Sequence, residues 1–298
     1  MELIDNIFLP GSLWLIMYSI GLSLTYEDFR QLARNRRAVY VGVASMLVVA
    51  PIIGVVMALA FAPTPALAVG FVLLATCPGG MLSNLMTDIA KGDLALSLSL
   101  SILVSLIYIV AIPFYAHYAV LYFLDIEQSV QVPLLGFIWK IFSITLLPAS
   151  LGLLTRRYRA GLALAIKGKI KLVAMAVLLV AFGFILADQM PVLRENFGTL
   201  FYVTLGMNLA ALAAAFALSK GASLSGRQTK AVCIEHMIRQ EGTAIYIAVT
   251  IVGSREMSLP MIMNTPVALV LCIAFVLAMR RFTEPGALSA STTVSSTN

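Results

Sequence analysis

Charged residues are scarce in this sequence. Of its 298 residues only 11% are Asp, Glu, Lys or Arg, while 60% are hydrophobic and the mean hydropathy is +0.97. That balance excludes an ordinary soluble domain and points to an all-α integral membrane protein, with the lipid bilayer as its solvent. Cysteine and histidine are scarcer still. Cys77, Cys233 and Cys272 lie in apolar runs without the spacing of a disulfide framework or a zinc site, so they are read as small packing groups. With only His117 and His236, and no HExxH, metal or acid/base chemistry around Glu235, His236 and Glu241 has no motif behind it, and an enzyme is not expected.

What is abundant is uninterrupted apolar sequence. A helix needs about 20 apolar residues to cross a hydrocarbon core, so charge-free runs count the spans. They fall near 8–24, 38–62, 66–90, 94–124, 131–155, 171–187, 197–219, 231–253 and 257–279, which predicts nine transmembrane helices. The amino terminus lacks the basic region and cleavage site of a signal peptide, so the first run is expected to be a retained helix. Residues 282–298 read as a disordered tail. Lys and Arg stay on the cytoplasmic side of membranes. With the amino terminus outside and the carboxyl terminus in the cytoplasm, Arg36, Arg37, Arg156, Arg157, Lys167 and Arg227 all fall inward, and only Arg194 and Arg255 fall outward. The net charge of +6 is therefore topological: it implies no nucleic-acid partner, and no obligatory protein partner is evident.

Two spans break the apolar rule. From Ala231 to Gly253 the chain reads AVCIEHMIRQEGTAIYIAVTIVG. Were 231–241 a loop, the remaining 242–253 would reach only about 18 Å at 1.5 Å per residue. Glu235, His236, Arg239, Gln240 and Glu241 must then lie at membrane depth, where an ionised group costs about 2.5 to 3.5 kcal/mol or more unless it faces protein, water or a partner. On a continuous helix Glu235 and Arg239, four apart, could simply pair. The second stretch is ATCPGGMLSNLMTDIAKGDLALSLSLS, Ala75 to Ser101. Pro78 removes a backbone donor and Gly79-Gly80 frees the dihedrals, so this helix should break near mid-membrane, which is tolerated only against protein or a water-filled cavity. Ser83 and Asn84 follow the break, and Ser97 and Ser101 share a helix face. Such neutral oxygens serve either helix packing or, together with a carboxylate, a hard cation such as sodium.

Setting the fifth span aside, each interrupted span is third in a group of four, and the groups enter from opposite sides. This is an inverted repeat, about 8–124 and 160–281, within a single transmembrane domain covering 1–298. Paired broken helices at matching repeat positions point to a transporter's central site.

Met17 to Leu24 with Asp28-Phe29, then Cys77-Pro78-Gly79-Gly80 with Ser83-Asn84, then Glu235 and Gly242, resemble the bile acid:sodium symporter family along nearly the whole chain. The resemblance implies panel and core domains, two broken helices crossing in the core, and sodium-coupled symport of a small organic anion by alternating access, in a bacterial inner membrane. The resemblance implies nine spans here against the ten of many bacterial members, the first being the one expected to be absent. The resemblance also implies a first sodium site at Ser83, Asn84, Ser97, Ser101 and Glu235. A second does not map, because Arg239 and Met46 stand where the family has Gln. A guanidinium cannot ligate sodium but carries one permanent charge and five donors, so Arg239 is expected to replace the second ion.

The alternative is a sodium-independent or proton-coupled carrier. His236, which titrates near neutral pH as a free side chain, and Glu241 would be its proton-linked groups. A channel or membrane sensor is a further alternative. Half-helix amino termini and Arg239 favour an anionic substrate. Met81, Leu82, Gln240 and Asn264 are its candidate contacts, although Asn264 would equally serve as an amide bonding a neighbouring helix, and Asn208 as a packing group.

Overall fold

A computed structural model describes residues 3–23, 36–124 and 134–283, and these are helical with short connections. Asp28, Phe29, Arg30, Arg34 and the expected tail beyond Thr283 lie outside the described residues. A π-helical turn, Ile4–Phe8, leads into α1 (Leu9–Ser23). Then come α2 (Arg36–Ala44), a π-helical turn Ser45–Val49 and α3 (Ala50–Phe61), which form one apolar helix. The first interrupted segment is α4 (Pro65–Ala75) and α5 (Met81–Ile89), followed by α6 (Leu94–Leu124). The second half comprises α7 (Leu134–Ile144), α8 (Leu146–Tyr158), α9 (Ala160–Asp188) and α10 (Met190–Gly221). It ends with α11 (Gly226–Met237), α12 (Glu241–Tyr246) running into a π-helical turn Ile247–Ile251, and α13 (Leu259–Thr283).

Among the described residues, six helices are long and apolar enough to cross a membrane, and α6 makes a seventh if its two arms, bent by 56°, are one span. Pro113 inside α6 cannot donate to the carbonyl of Ile109, where the arms meet. The expected spans 171–187 and 197–219 are too short. α9 starts at Ala160 and carries Lys167, Lys169 and Lys171 within it, and α10 runs from Met190. A hydropathy count stops at the first charges, whereas the backbone goes on pairing i to i+4 through the polar turns. The expected span 131–155 meets the apolar helix 138–158, which carries on past a single turn residue at Thr145, and its first residues lie outside the described set.

α1 packs along α8 and α9 at backbone contact. A Cβ on Gly21 would sit 2.0 Å from the Ala149 carbonyl oxygen, and one on Gly152 would sit 2.3 Å from that of Tyr18. Small residues are what permit such proximity where lipid supplies no hydrophobic drive. The remaining helices form a second group: α4 packs against α3, α6 and α13, and α10 against α11 and α13. Their buried Phe71, Leu73, Leu74, Tyr108, Met207 and Ile245 belong to one apolar core.

Where α4 stops, Thr76 Oγ1 and Cys77 Sγ both donate back to the Leu73 carbonyl. The chain then runs through Cys77-Pro78-Gly79 into α5. The other break, Ile238 to Gln240, is extended at Ile238, where ψ is 106°. The two breaks meet: Gly79 and Arg239 form an antiparallel bridge, and Gln240 N–H donates to the Pro78 carbonyl at 2.8 Å. Each interruption thus satisfies backbone groups that the other leaves unpaired inside the protein.

Candidate functional site

Glu235 stands in the last turn of α11, with no exposure. Its Oε1 accepts hydrogen bonds from Ser83 at 2.6 Å, Ser97 at 2.6 Å and Ser101 at 3.1 Å, and Ser101 lies equally 3.1 Å from Oε2. Ser97 also lies 2.8 Å from Asn84 Oδ1, and Thr87 Oγ1 lies 3.2 Å from Ser97 Oγ. Local structure sets these positions. Asn84 Nδ2 donates to the Gly80 carbonyl at 3.1 Å, which turns Oδ1 toward the serines, and Gly80 N–H is held by Ser83 Oγ. Ser83 and Thr87, and likewise Ser97 and Ser101, are four apart, each pair on one helix face. Gly79 leaves room for the carboxylate, since a Cβ on it would lie 1.7 Å from Glu235 Oε2 and displace it. The result is an all-oxygen pocket with one carboxylate and neutral hydroxyl and amide donors. A hard, monovalent cation suits that chemistry.

Arg239 does not pair with Glu235. Helix α11 ends at Met237, so the i, i+4 geometry of a continuous helix is lost, and neither Glu235 nor Glu241 lies within ion-pair distance of the guanidinium. Instead Nη1 donates to the carbonyls of Ala75 at 2.5 Å and Leu74 at 3.3 Å, and Nε donates to that of His236 at 3.0 Å. The cation therefore closes the carboxyl-terminal end of α4, where helix carbonyls are unpaired and the dipole is negative. Lys230 does the same for α5, donating to the Ala90 carbonyl at 3.1 Å.

Glu241 and Asn264 are joined to each other. Asn264 Nδ2 donates to Glu241 Oε1 at 2.5 Å, Thr265 Oγ1 donates to Oε2, and Asn208 Nδ2 donates to Asn264 Oδ1 at 2.6 Å. With both ends of its amide engaged and 1% exposure, Asn264 bonds neighbouring helices and is not among the described residues that line the cavity beside the crossing. His236 is 1% exposed, with Nδ1 on the Val232 carbonyl at 2.8 Å and Nε2 without a partner among the described residues.

A cavity of about 430 Å³ opens between the α1, α8 and α9 group and the crossing. Pro78, Gly79, Gly80, Asn84, Ser101 and Gln240 line its crossing end, so Asn84 and Ser101 belong to both the oxygen cluster and the cavity wall. Leu82 is half exposed and does not line it, and the side chain of Met81 lies outside the described set. Thr87, Thr265, Tyr108 and Lys171 are additions of the structure. Thr87 was signalled by its place four residues after Ser83, and Thr265 by nothing beyond its neighbour Asn264. Tyr108, buried, donates to the Met46 carbonyl at 2.5 Å.

Residues 10–196 match the family described as Sodium Bile acid symporter family. A probable chloroplastic sodium/metabolite cotransporter of Oryza sativa subsp. japonica is 30% identical over 230 residues, 77% of this chain and 53% of that protein. An uncharacterized sodium-dependent transporter of Bacillus subtilis (strain 168) is 36% identical over 101 residues, 34% of this chain and 32% of that protein. Sodium/bile acid cotransporter 4 of Homo sapiens is 26% identical over 233 residues, 77% of this chain and 53% of that protein. The chain thus spans about half the length of the curated relatives it matches over most of its own length. All these descriptions are of transporters, and none is of an enzyme.

Proposed function

The chain belongs to the Sodium Bile acid symporter family, and from that premise we propose that this multi-pass membrane protein couples the entry of an organic anion to one sodium ion by alternating access. The observation that carries the reading is the convergence of Ser83, Asn84, Ser97 and Ser101 on Glu235 beside a cavity that shares two of those residues. An ion held there would order the cavity wall that meets the anion, so each would strengthen the binding of the other. We read nine crossings: the six long helices, the bent α6, and the two interrupted segments α4–α5 and α11–α12. The inverted repeat, the panel of α1, α8 and α9, the core of the remaining helices and the bacterial inner membrane as location belong to the same reading. So does the orientation, with the Ser23 end of α1 cytoplasmic. The cavity then opens inward.

Arg239 stands in for a second ion. Its guanidinium takes up the Leu74 and Ala75 carbonyls, oxygens of the kind a bound sodium would use, and supplies the same unit charge permanently. The energetic consequence is large. A tenfold sodium gradient supplies about 1.4 kcal/mol per ion, and a 100 mV potential about 2.3 kcal/mol per charge. Two sodium ions with one monovalent anion would yield about 5 kcal/mol, whereas one ion yields about 1.4 because the charges cancel. Transport is then electroneutral. Uptake of labelled organic acids into proteoliposomes, driven by an inward sodium gradient, tests this: saturable uptake without current supports it, and uptake indifferent to sodium refutes it.

One observation favours a second reading. Glu241 is a buried carboxylate whose two oxygens meet only neutral donors, Asn264 and Thr265. A proton can neutralise such a group, so a pH gradient acting through Glu241 is the alternative coupling. Uptake that persists without sodium and follows pH would select it.

A further inference from the structure

Among the described residues, the cavity wall holds a single charged side chain, Lys171. Lys171 is the first residue of the expected span 171–187. In the structure it lies within α9, half-buried, and lines the cavity from the panel side, opposite Gly80, Asn84 and Gln240. The register of α9 on α1 fixes its depth: Ser19 Oγ donates to the Lys167 carbonyl at 3.2 Å, and Lys171 is one turn, about 6 Å, further toward the crossing. Nearby, Gln240 Nε2 meets Met17 Sδ at 3.6 Å on the same stretch of α1. No carboxylate lines the described cavity, and no hydrogen bond or ion pair engages the Lys171 ammonium among the described residues. An ammonium that lines such a cavity must be met by water or an anion.

The rest of the wall defines what that anion carries. Ile20, Leu98, Ile102, Leu106 and Ile141 give the cavity a predominantly apolar surface, and about 430 Å³ accommodates a compact hydrocarbon body. With one cation among the described lining residues, the cavity wall matches one negative charge. The geometry points to Lys171 as the panel-side residue that selects the substrate: it pairs with the acid group of an amphipathic organic monoanion, whose body packs on the apolar wall. This deepens the transport reading and rests on it. It also gives the substrate a mechanical role, since the acid group would tie the panel, through Lys171, to the crossing in the core.

Two synthetic probes separate charge from shape: adamantane-1-carboxylate and its neutral counterpart 1-adamantanemethanol. Titration calorimetry on the purified full chain in sodium buffer should show the carboxylate binding at least about tenfold tighter than the alcohol. In Lys171→Ala the carboxylate should weaken by about tenfold while the alcohol stays within about twofold, and Lys171→Arg should retain most of the preference. Sodium-dependent thermal stabilisation, read on the same samples without any probe, should survive in Lys171→Ala. If that stabilisation is missing in every variant and in the parent, the sodium reading fails while the carboxylate preference still decides the role of Lys171. The inference is overturned if the parent does not bind the carboxylate, if it prefers succinate, or if Lys171→Ala weakens both probes equally or neither.

Discussion

Replacing Arg239 by Gln removes one positive charge from the crossing and leaves a neutral side chain that can ligate sodium. Two effects follow. The Ala75 carbonyl loses its donor at 2.5 Å, whereas that of Leu74 keeps the Cys77 N–H at 3.3 Å; one buried acceptor left unpaired costs about 1 to 3 kcal/mol, so the variant should melt several degrees below the parent in sodium-free buffer. The same carbonyls become available to an ion. If Arg239 acts as a permanent surrogate for sodium, Arg239→Gln should recover part of its lost stability as sodium rises, and its uptake should depend on sodium with a Hill coefficient moving from about 1 toward about 2. With a tenfold gradient and 100 mV, the limiting accumulation of a monovalent anion would rise from about tenfold to several thousandfold, because about 5 kcal/mol replaces about 1.4. Each cycle would also move one net charge. Solid-supported-membrane recording of proteoliposomes reads that charge directly. Arg239→Lys, which keeps the charge without the forked donors, should remain electroneutral. An Arg239→Gln protein that transports with no current and an unchanged Hill coefficient would refute the surrogate role.

Further outcomes follow from the same contacts. Gly79→Ala puts a methyl where Glu235 Oε2 lies, 1.7 Å from the added carbon, so it should abolish sodium-dependent uptake and sodium-dependent thermal stabilisation while the protein still purifies as a single species. Gly152→Leu should fail at an earlier stage, giving polydisperse material on size-exclusion chromatography, because the Tyr18 carbonyl 2.3 Å away is backbone and cannot yield. Glu241→Gln retains the shape of the group and can still accept from Thr265. It should leave sodium-driven uptake within about threefold and flatten any dependence of sodium-free uptake on pH.

The parts of this arrangement that were legible in the sequence are those with a local physical signature. Pro78-Gly79-Gly80 announces a break because one residue lacks a donor and two lack a Cβ. Residues 235–241 announce burial against protein because the apolar remainder is too short to cross. Helix ends were misjudged where polarity and backbone pairing part company, as in the first turns of α9. The partners of Arg239 could not be read at all. Backbone carbonyls carry no residue identity, so a guanidinium that bonds Leu74 and Ala75 looks, in sequence, like one that pairs with Glu235. Asn264 is ambiguous for a related reason: an amide beside a proline suits a cavity as well as a helix contact, and only the approach of Asn208 and Glu241 shows the helix contact. Lys171 is hidden in the sequence by its company, since Lys167 and Lys169, two turns or less away, have the pattern of cytoplasmic flanking charge.

The measurement that bears most directly on the central claim is the stoichiometry of labelled sodium bound to the purified chain at equilibrium, in the parent and in Glu235→Gln. One ion per chain in the parent, and none retained in Glu235→Gln, is the expected result. Two ions per chain, or one that survives the loss of the Glu235 charge, would contradict a single sodium site built on that carboxylate.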